Sequence, residues 1–181
     1  MKFDLRLSAV AFLAILFASR PDPVCAQWVI GPTIGVDVPV ADLADVVKAG
    51  PMFDVFLGYE LADQVLVGAN GTLSLLPGKE LINSQTLPDL DLWRLMAEIQ
   101  INALHPAATW ELWFGGGVGA AIVAPANGNS TTNFSLTLFA DLLYKATQSV
   151  SVGASVRGFG FFESGDEFIS IPIELKALID L

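Results

Sequence analysis

Trp93-Arg94-Leu95-Met96-Ala97-Glu98-Ile99-Gln100-Ile101 alternates between two chemistries. Trp93, Leu95, Ala97, Ile99 and Ile101 are apolar, and the positions between them hold Arg94, Glu98 and Gln100, with only Met96 apolar. Successive side chains of a β-strand point to opposite faces. The stretch therefore predicts a strand with one oily face and one face bearing charges of both signs. A helix would spread the same residues around its circumference.

Seven more segments repeat the period of two. Their apolar positions run Trp28 to Val38, Phe53 to Leu61, Val65 to Leu75, Trp110 to Ile122, Phe134 to Tyr144, Val150 to Phe162 and Ile169 to Ile179, taking every second residue. None of these positions is charged. The opposite faces hold Asp37, Asp54, Glu60, Arg94, Glu98, Glu111, Asp141, Arg157, Glu174 and Lys176. Eight strands sorted this cleanly predict an all-β, up-and-down antiparallel barrel.

Composition says which solvent that barrel meets. Of 181 residues, 53% are hydrophobic and 15% charged, with a mean hydropathy of +0.58. Soluble domains carry about 25% charged residues. Disorder is excluded by the same figures, and the length suits one domain. After the N-terminal segment, no stretch reaches the roughly 18 apolar residues of a membrane helix, so the hydrophobicity is distributed over strands. The apolar faces hold three of the four Trp and both Tyr, whereas the other faces hold glycines such as Gly31, Gly35, Gly58, Gly68, Gly115, Gly117, Gly119 and Gly153. An eight-stranded barrel has room inside only for side chains. The small and polar set is expected to fill the bore and the bulky apolar set to face lipid. Lipid in turn demands closure, because an open sheet edge would leave backbone groups unpaired in hydrocarbon.

Residues 1–26 read as an export signal. Lys2 and Arg6 precede the apolar run Ala9 to Ala18, and Val24-Cys25-Ala26 offers small residues before a cleavage at Gln27. Cys25 lacks the Leu-small-small context of a lipoprotein anchor, since Asp22-Pro23-Val24 precede it. The barrel domain is then 27–181, without cysteine and so without disulfides. Residues 1–26 take three basic and two acidic residues from totals of 9 and 19, which leaves a net charge of −11. Such a surface does not suit nucleic acid.

Loops and aromatics agree with a membrane barrel. Connections at Pro39 to Pro51, Pro77 to Asp89 and Val123 to Thr132 are expected to be long outer loops, and Glu163 to Glu167 a shorter one. Ala62 to Gln64, Asn102 to Ala108 and Lys145 to Ser149 are expected to be short periplasmic turns. Trp28, Tyr59, Trp110 and Tyr144 then fall at the periplasmic strand ends, and Phe53, Trp93, Phe134 and Phe162 near the outer ends, all on the lipid face. Two such belts suit the two headgroup regions. Pro32 and Pro172 lie in the first and last strands, where proline removes a ladder donor; a bulge or irregularity is expected at that seam.

In these features the chain resembles the small eight-stranded outer-membrane barrel proteins, the group containing OmpX and the membrane domain of OmpA. The resemblance spans Gln27 to Leu181 and includes the phrases Gly31-Pro32-Thr33-Ile34-Gly35 and Phe56-Leu57-Gly58-Tyr59. It implies an outer-membrane location, outer-membrane lipids as surroundings and barrel-assembly machinery as a partner during biogenesis. Members of the group typically end in Phe, whereas this sequence ends Ala177-Leu178-Ile179-Asp180-Leu181, a weaker assembly signal.

The inner charges are the strongest candidates for a specific role. Arg94, Arg157 and Lys176 are expected to pair with Glu98, Glu111, Asp141, Glu174 and Glu60 across the bore, because buried charges need partners. A plug of ion pairs is favoured over an ion path on grounds of bore size. Lipid A deacylases of similar size use a His, a Ser and a carboxylate near the outer rim; the sole histidine, His105, falls in a periplasmic turn and cannot meet an outer-face Ser. Gly115-Gly116-Gly117-Val118-Gly119 lacks the helix and Lys of a phosphate loop and is better read as room for an inner neighbour such as Trp113. The expectation is a monomeric, non-enzymatic outer-membrane barrel with acidic external loops that could meet a surface ligand, and with no cofactor or metal. The alternatives are a narrow pore and a secreted, lipocalin-like soluble carrier.

Overall fold

The structure, a computed structural model, describes residues 27–62, 64–80, 86–105, 107–163 and 166–181, without the side chains of 162, 163, 166 and 167. The segment read as an export signal and the side chain of Phe162 lie outside the described residues. Eight strands occur among those described: β1 (Trp28–Val40), β2 (Gly50–Ala62), β3 (Val65–Leu76), β4 (Leu90–Asn102), β5 (Trp110–Pro125), β6 (Thr131–Lys145), β7 (Val150–Glu163) and β8 (Asp166–Asp180), with one short helix, α1 (Ala41–Val46), between β1 and β2. Each strand pairs antiparallel with its sequence neighbours and β1 pairs with β8, closing the barrel. The protein is an up-and-down transmembrane β-barrel of eight strands.

The pairing also sets the tilt. From Val29 the register passes through Gly58, Gly68, Glu98, Gly117, Thr137, Phe159 and Ser170 and returns to β1 at Pro39. One circuit thus advances from residue 29 to 39, a shear of ten residues. A barrel of this kind tilts its strands about 35–45°, so residues paired in register sit at successively different depths.

The apolar faces point outward. Leu138 is 74% exposed, Leu175 66% and Leu95 61%, while Arg94, Gln100, Ser135 and Asp141 are fully buried. A soluble carrier requires the reverse, so that reading is overturned by the orientation itself. Trp28 packs edge-on against Tyr59, and Trp110 against Tyr144, each pair with ring centroids 5.3 Å apart. Both pairs lie at the barrel end that carries Gln27 and Leu181. Phe53, Trp93 and Phe134 are half-exposed toward the opposite end.

The bore is bulkier than glycine counting suggests. Phe56, Phe139, Phe159, Phe161 and Trp113 are buried inside it. The inner glycines make room for them rather than leaving space. A Cβ on Gly58 would lie 2.3 Å from the Phe56 ring, and one on Gly115 would lie 2.2 Å from the ring of Phe139. Phe139, its register partner on the neighbouring strand β6, and not Trp113, is therefore the inner neighbour that Gly115 accommodates.

Three expectations about connections change. Half of the β5–β6 segment expected as the loop Val123 to Thr132 is strand, because the ladder continues as far as Val123↔Thr131 and only 126–130 lie outside β5 and β6; the connection 103–109, expected to be the short one, is longer. The first outer loop holds α1, which the sequence reading did not anticipate. The seam between β1 and β8 has no bulge: pairs on both sides keep one register, from Ile30↔Ile179 to Thr33↔Lys176, but the ladder is interrupted at Gly31 and Pro32 opposite Ala177 and Leu178. Pro172 leaves the matching interruption on the other side of β8, between Val156↔Ile173 and Phe159↔Ser170. A missing proline donor deletes rungs without shifting strands. The register shift that does occur lies elsewhere, at Glu60 and Ala62 beside the β2–β3 turn.

Candidate functional site

The bore is stratified. At the end that carries Gln27 and Leu181, the end expected to be periplasmic, Val29, Phe56, Leu66, Trp113, Leu143 and Leu178 form one buried apolar cluster. At the outer end Leu43, Val47, Leu76, Leu92, Ala121 and Phe161 form a second. Leu43 belongs to α1 and Val47 directly follows it, so the first outer loop folds back over the mouth and inserts two side chains into it. The backbone holds it there: Val47 bridges Gly78, Lys79 N–H donates to the Val46 carbonyl, and Ala41 bridges Phe168. Ala41 enters the helix at φ 49°, the left-handed region, and is the one non-glycine residue among those described with positive φ. A six-residue helix has no stability of its own; here the burial of Leu43 and Val47 holds it.

Between the two apolar clusters lie the ions. Arg94 of β4 donates to Asp37 of β1 and, at 3.2 Å, to the Ser170 hydroxyl. Arg157 of β7 donates to Glu98 at 2.5 Å, and its Nε lies 3.4 Å from Glu174. Lys176 of β8 donates to Asp141, which also accepts the Ser155 hydroxyl at 2.6 Å. Asp54 accepts the Asn70 amide at 2.7 Å. Each cation also rests against an aromatic face: Arg94 lies 4.1 Å from the Phe159 centroid, Arg157 4.2 Å from Phe139, and Lys176 5.6 Å from both Phe56 and Phe139. Desolvated cation–π contacts of this kind contribute about 2 kcal/mol. Phe139 and Phe159 therefore belong to the ionic layer as much as the carboxylates do, and Phe56 joins it to the apolar cluster below.

Of the expected inner charges, the structure brings Arg94, Glu98, Asp141, Arg157, Glu174 and Lys176 into this layer. It adds Asp37 and Asp54, whose positions on the inner faces placed them in the bore without naming a partner. Glu60 and Glu111 are elsewhere. They line a separate cavity of about 250 Å³ at the periplasmic mouth, with Asp180, Asn102 and Lys145. Glu111 lies 3.4 Å from Lys145, a partner on the strand end that alternation did not single out. The Trp113 indole N–H reaches Glu111 at 3.4 Å, so Trp113 separates this mouth from the layer above.

The remaining motifs carry no reactive geometry. His105 is exposed in the β4–β5 connection, where its Nδ1 accepts the Ala107 N–H at 3.2 Å. Among the described residues no group of His, Cys, Asp and Glu is arranged to hold a metal. Gly117 lies in the glycine run because a Cβ there would come 2.5 Å from the Ala97 carbonyl and 2.8 Å from Glu98 Cγ; it seats the carboxylate that Arg157 grips.

A closed eight-stranded barrel with an apolar exterior and a filled, ionic bore is the architecture of the small outer-membrane barrels. Among solved structures it is similar to Neisserial surface protein A (TM-score 0.66, 12% identity, covering 85% of this chain and 97% of that one). It is also similar to the N-terminal β-barrel domain of Pseudomonas aeruginosa OprF (TM-score 0.54, 16% identity, 85% and 97% covered) and to the outer membrane protein OprG of the same organism (TM-score 0.52, 11% identity, 87% and 96% covered). No family model matches the sequence, and no curated protein is detectably similar to it. The likeness is one of fold.

Proposed function

We propose that the protein is an integral outer-membrane barrel, monomeric and non-conducting, that acts as a rigid platform for its external loops. The observation that carries this reading is the double seal: a paired ionic layer enclosed between two buried apolar clusters, one of them completed by the first outer loop. A permeating ion would have to cross both apolar layers without hydration, which costs several kcal/mol at each. The loops are where such a barrel meets other molecules. Their described part is mainly acidic, with Asp42, Asp45, Glu80 and Asp89 against Lys48 and Lys79, and the 126–130 turn presents uncharged polar residues. Catalysis has no support in the position of His105. Barrel-assembly machinery would insert the chain, as for other barrels of this fold.

The test combines location and conductance. The full chain, expressed in a Gram-negative host, should fractionate with the outer membrane and migrate differently on gels before and after boiling. In planar bilayers the folded protein should give no steady unitary steps. Unitary steps that change on Arg94→Ala or Glu98→Ala would replace the platform with the narrow pore.

A further inference from the structure

The lipid-facing surface is not evenly bulky. Two adjacent outward rows run in register from β2 to β6: Tyr59, Val67, Ile99, Gly116 and Leu138, and beside them Leu57, Ala69, Ala97, Val118 and Leu136. Each row is broken by small residues, Gly116 in the first and the pair Ala69 and Ala97 in the second. The gaps adjoin and form one open groove of about 970 Å³, floored by those three residues and by backbone. Its foot lies at Trp28 and Tyr59, and its far end is walled by Leu136 and Leu138.

We propose that this groove binds one acyl chain of a phospholipid from the periplasmic leaflet, with the glycerol region at the Trp28–Tyr59 edge. Three observations carry it. The foot coincides with an aromatic pair at the end of the barrel that carries both termini, where lipid headgroups meet Trp and Tyr. The rows climb outward, because a circuit of the barrel advances from Val29 to Pro39 on β1. Each strand step rises roughly 3 Å at this tilt, so four steps from β2 to β6 raise the groove about 12 Å, close to half of an apolar band about 25 Å tall. A chain entering at Trp28 and Tyr59 therefore ends near the bilayer midplane, as a periplasmic-leaflet chain does and an outer-leaflet one does not. Since acyl chains are already in hydrocarbon, no hydrophobic gain selects the site; van der Waals contact on three sides of the chain does. A second copy of the barrel would need a projecting ridge to fill the same concavity.

Filling the groove tests the proposal. Ala69→Phe/Ala97→Phe places two rings in it, and Val156→Phe adds an equivalent ring to an exposed lipid-facing site on β7 outside it. The mature chain and both variants are released from phosphatidylethanolamine/phosphatidylglycerol nanodiscs and weighed by native mass spectrometry. The wild type and Val156→Phe should carry one phospholipid that the double variant loses, while heat-modifiable mobility shows all three folded. If the double variant does not fold, Ala97→Leu serves in its place. Equal retention by all variants, adventitious annular lipid that varies with detergent alone, or a wild-type dimer that the groove variants dissociate would each overturn the proposal.

Discussion

Arg157→Met is the sharpest perturbation of the bore. The guanidinium sits between Glu98 and Glu174 and against the Phe139 ring, with no exposed side-chain surface on any of the three charged residues. Met keeps most of the stem and its contact with the ring while removing the charge. Two carboxylates would then face each other in a layer already richer in acid, since Asp37, Asp54 and Asp141 are also buried there against only Arg94 and Lys176. At an effective dielectric near 20, like charges about 4 Å apart repel by about 4 kcal/mol, and breaking a buried ion pair by deleting one partner costs about 3–5 kcal/mol. The expected loss is therefore roughly 3–5 kcal/mol, measured as a shift in the urea midpoint for folding into phospholipid vesicles, followed by tryptophan emission and gel mobility. Arg157→Met/Glu98→Gln/Glu174→Gln removes the stranded carboxylates as well, and should recover more than half of that loss because a neutral isostere needs no counter-ion. A single variant that costs under about 1 kcal/mol, or a triple variant no more stable than the single, would refute the view that the layer is a desolvated, ion-paired plug.

Other outcomes follow from the same geometry. Leu138→Arg or Val67→Arg, both on the lipid face, should destabilise by about 2–4 kcal/mol in bilayers, and Leu138, the more exposed, should show the larger effect. Ser155→Arg, on the inner face, should also destabilise: Ser155 is buried against Asp141 beside Lys176, so overpacking should cost about 1–3 kcal/mol or more. Amide exchange in the sheet interior should be fastest at Ala177 and Leu178, where the β1–β8 ladder is interrupted; uniform protection along β8 would contradict this. Leu43→Ala, which empties the α1 anchor, should open the outer mouth locally and let a thiol reagent reach Ser74→Cys, a site fully buried in the wild type, with little change in the global unfolding midpoint.

Much of the fold was legible because its cause repeats along the chain. In a membrane barrel every strand meets lipid on one side and a polar bore on the other, so the period of two returns eight times and any one strand, such as Trp93 to Ile101, announces the rest. The candidate site was legible by face but not by partner. Alternation puts Arg94 and Asp37 in the bore, yet nothing local to either says that they meet, because the pairing depends on how far the sheet shears on closing. Glu111 was placed with the wrong companions for the same reason: it shares the inner face but lies at the mouth, where Lys145 meets it, and Glu60 lines that same mouth rather than the ionic layer. The loops were read least well. α1 has no periodic signature in six residues, and its place is decided by a mouth that only the closed barrel creates.

The ionic layer supplies information that the apolar exterior lacks. A slip of one residue between neighbouring strands would turn every oily side chain into the bore, and lipid forbids it. A slip of two residues keeps every face correct and leaves the exterior nearly as apolar, so hydrophobicity alone barely opposes it. The bore does oppose it. Moving β4 by two residues brings Met96 or Gln100 to the place of Glu98 and leaves Arg157 with one carboxylate fewer, while Arg94 leaves Asp37. It also carries the Glu98 side chain away from the Cβ-free space at Gly117 that seats it. The barrel thus draws its orientation from the membrane and its register from charges the membrane never meets. That division accounts for three cations being retained at depth in a layer where aliphatic side chains would pack more cheaply.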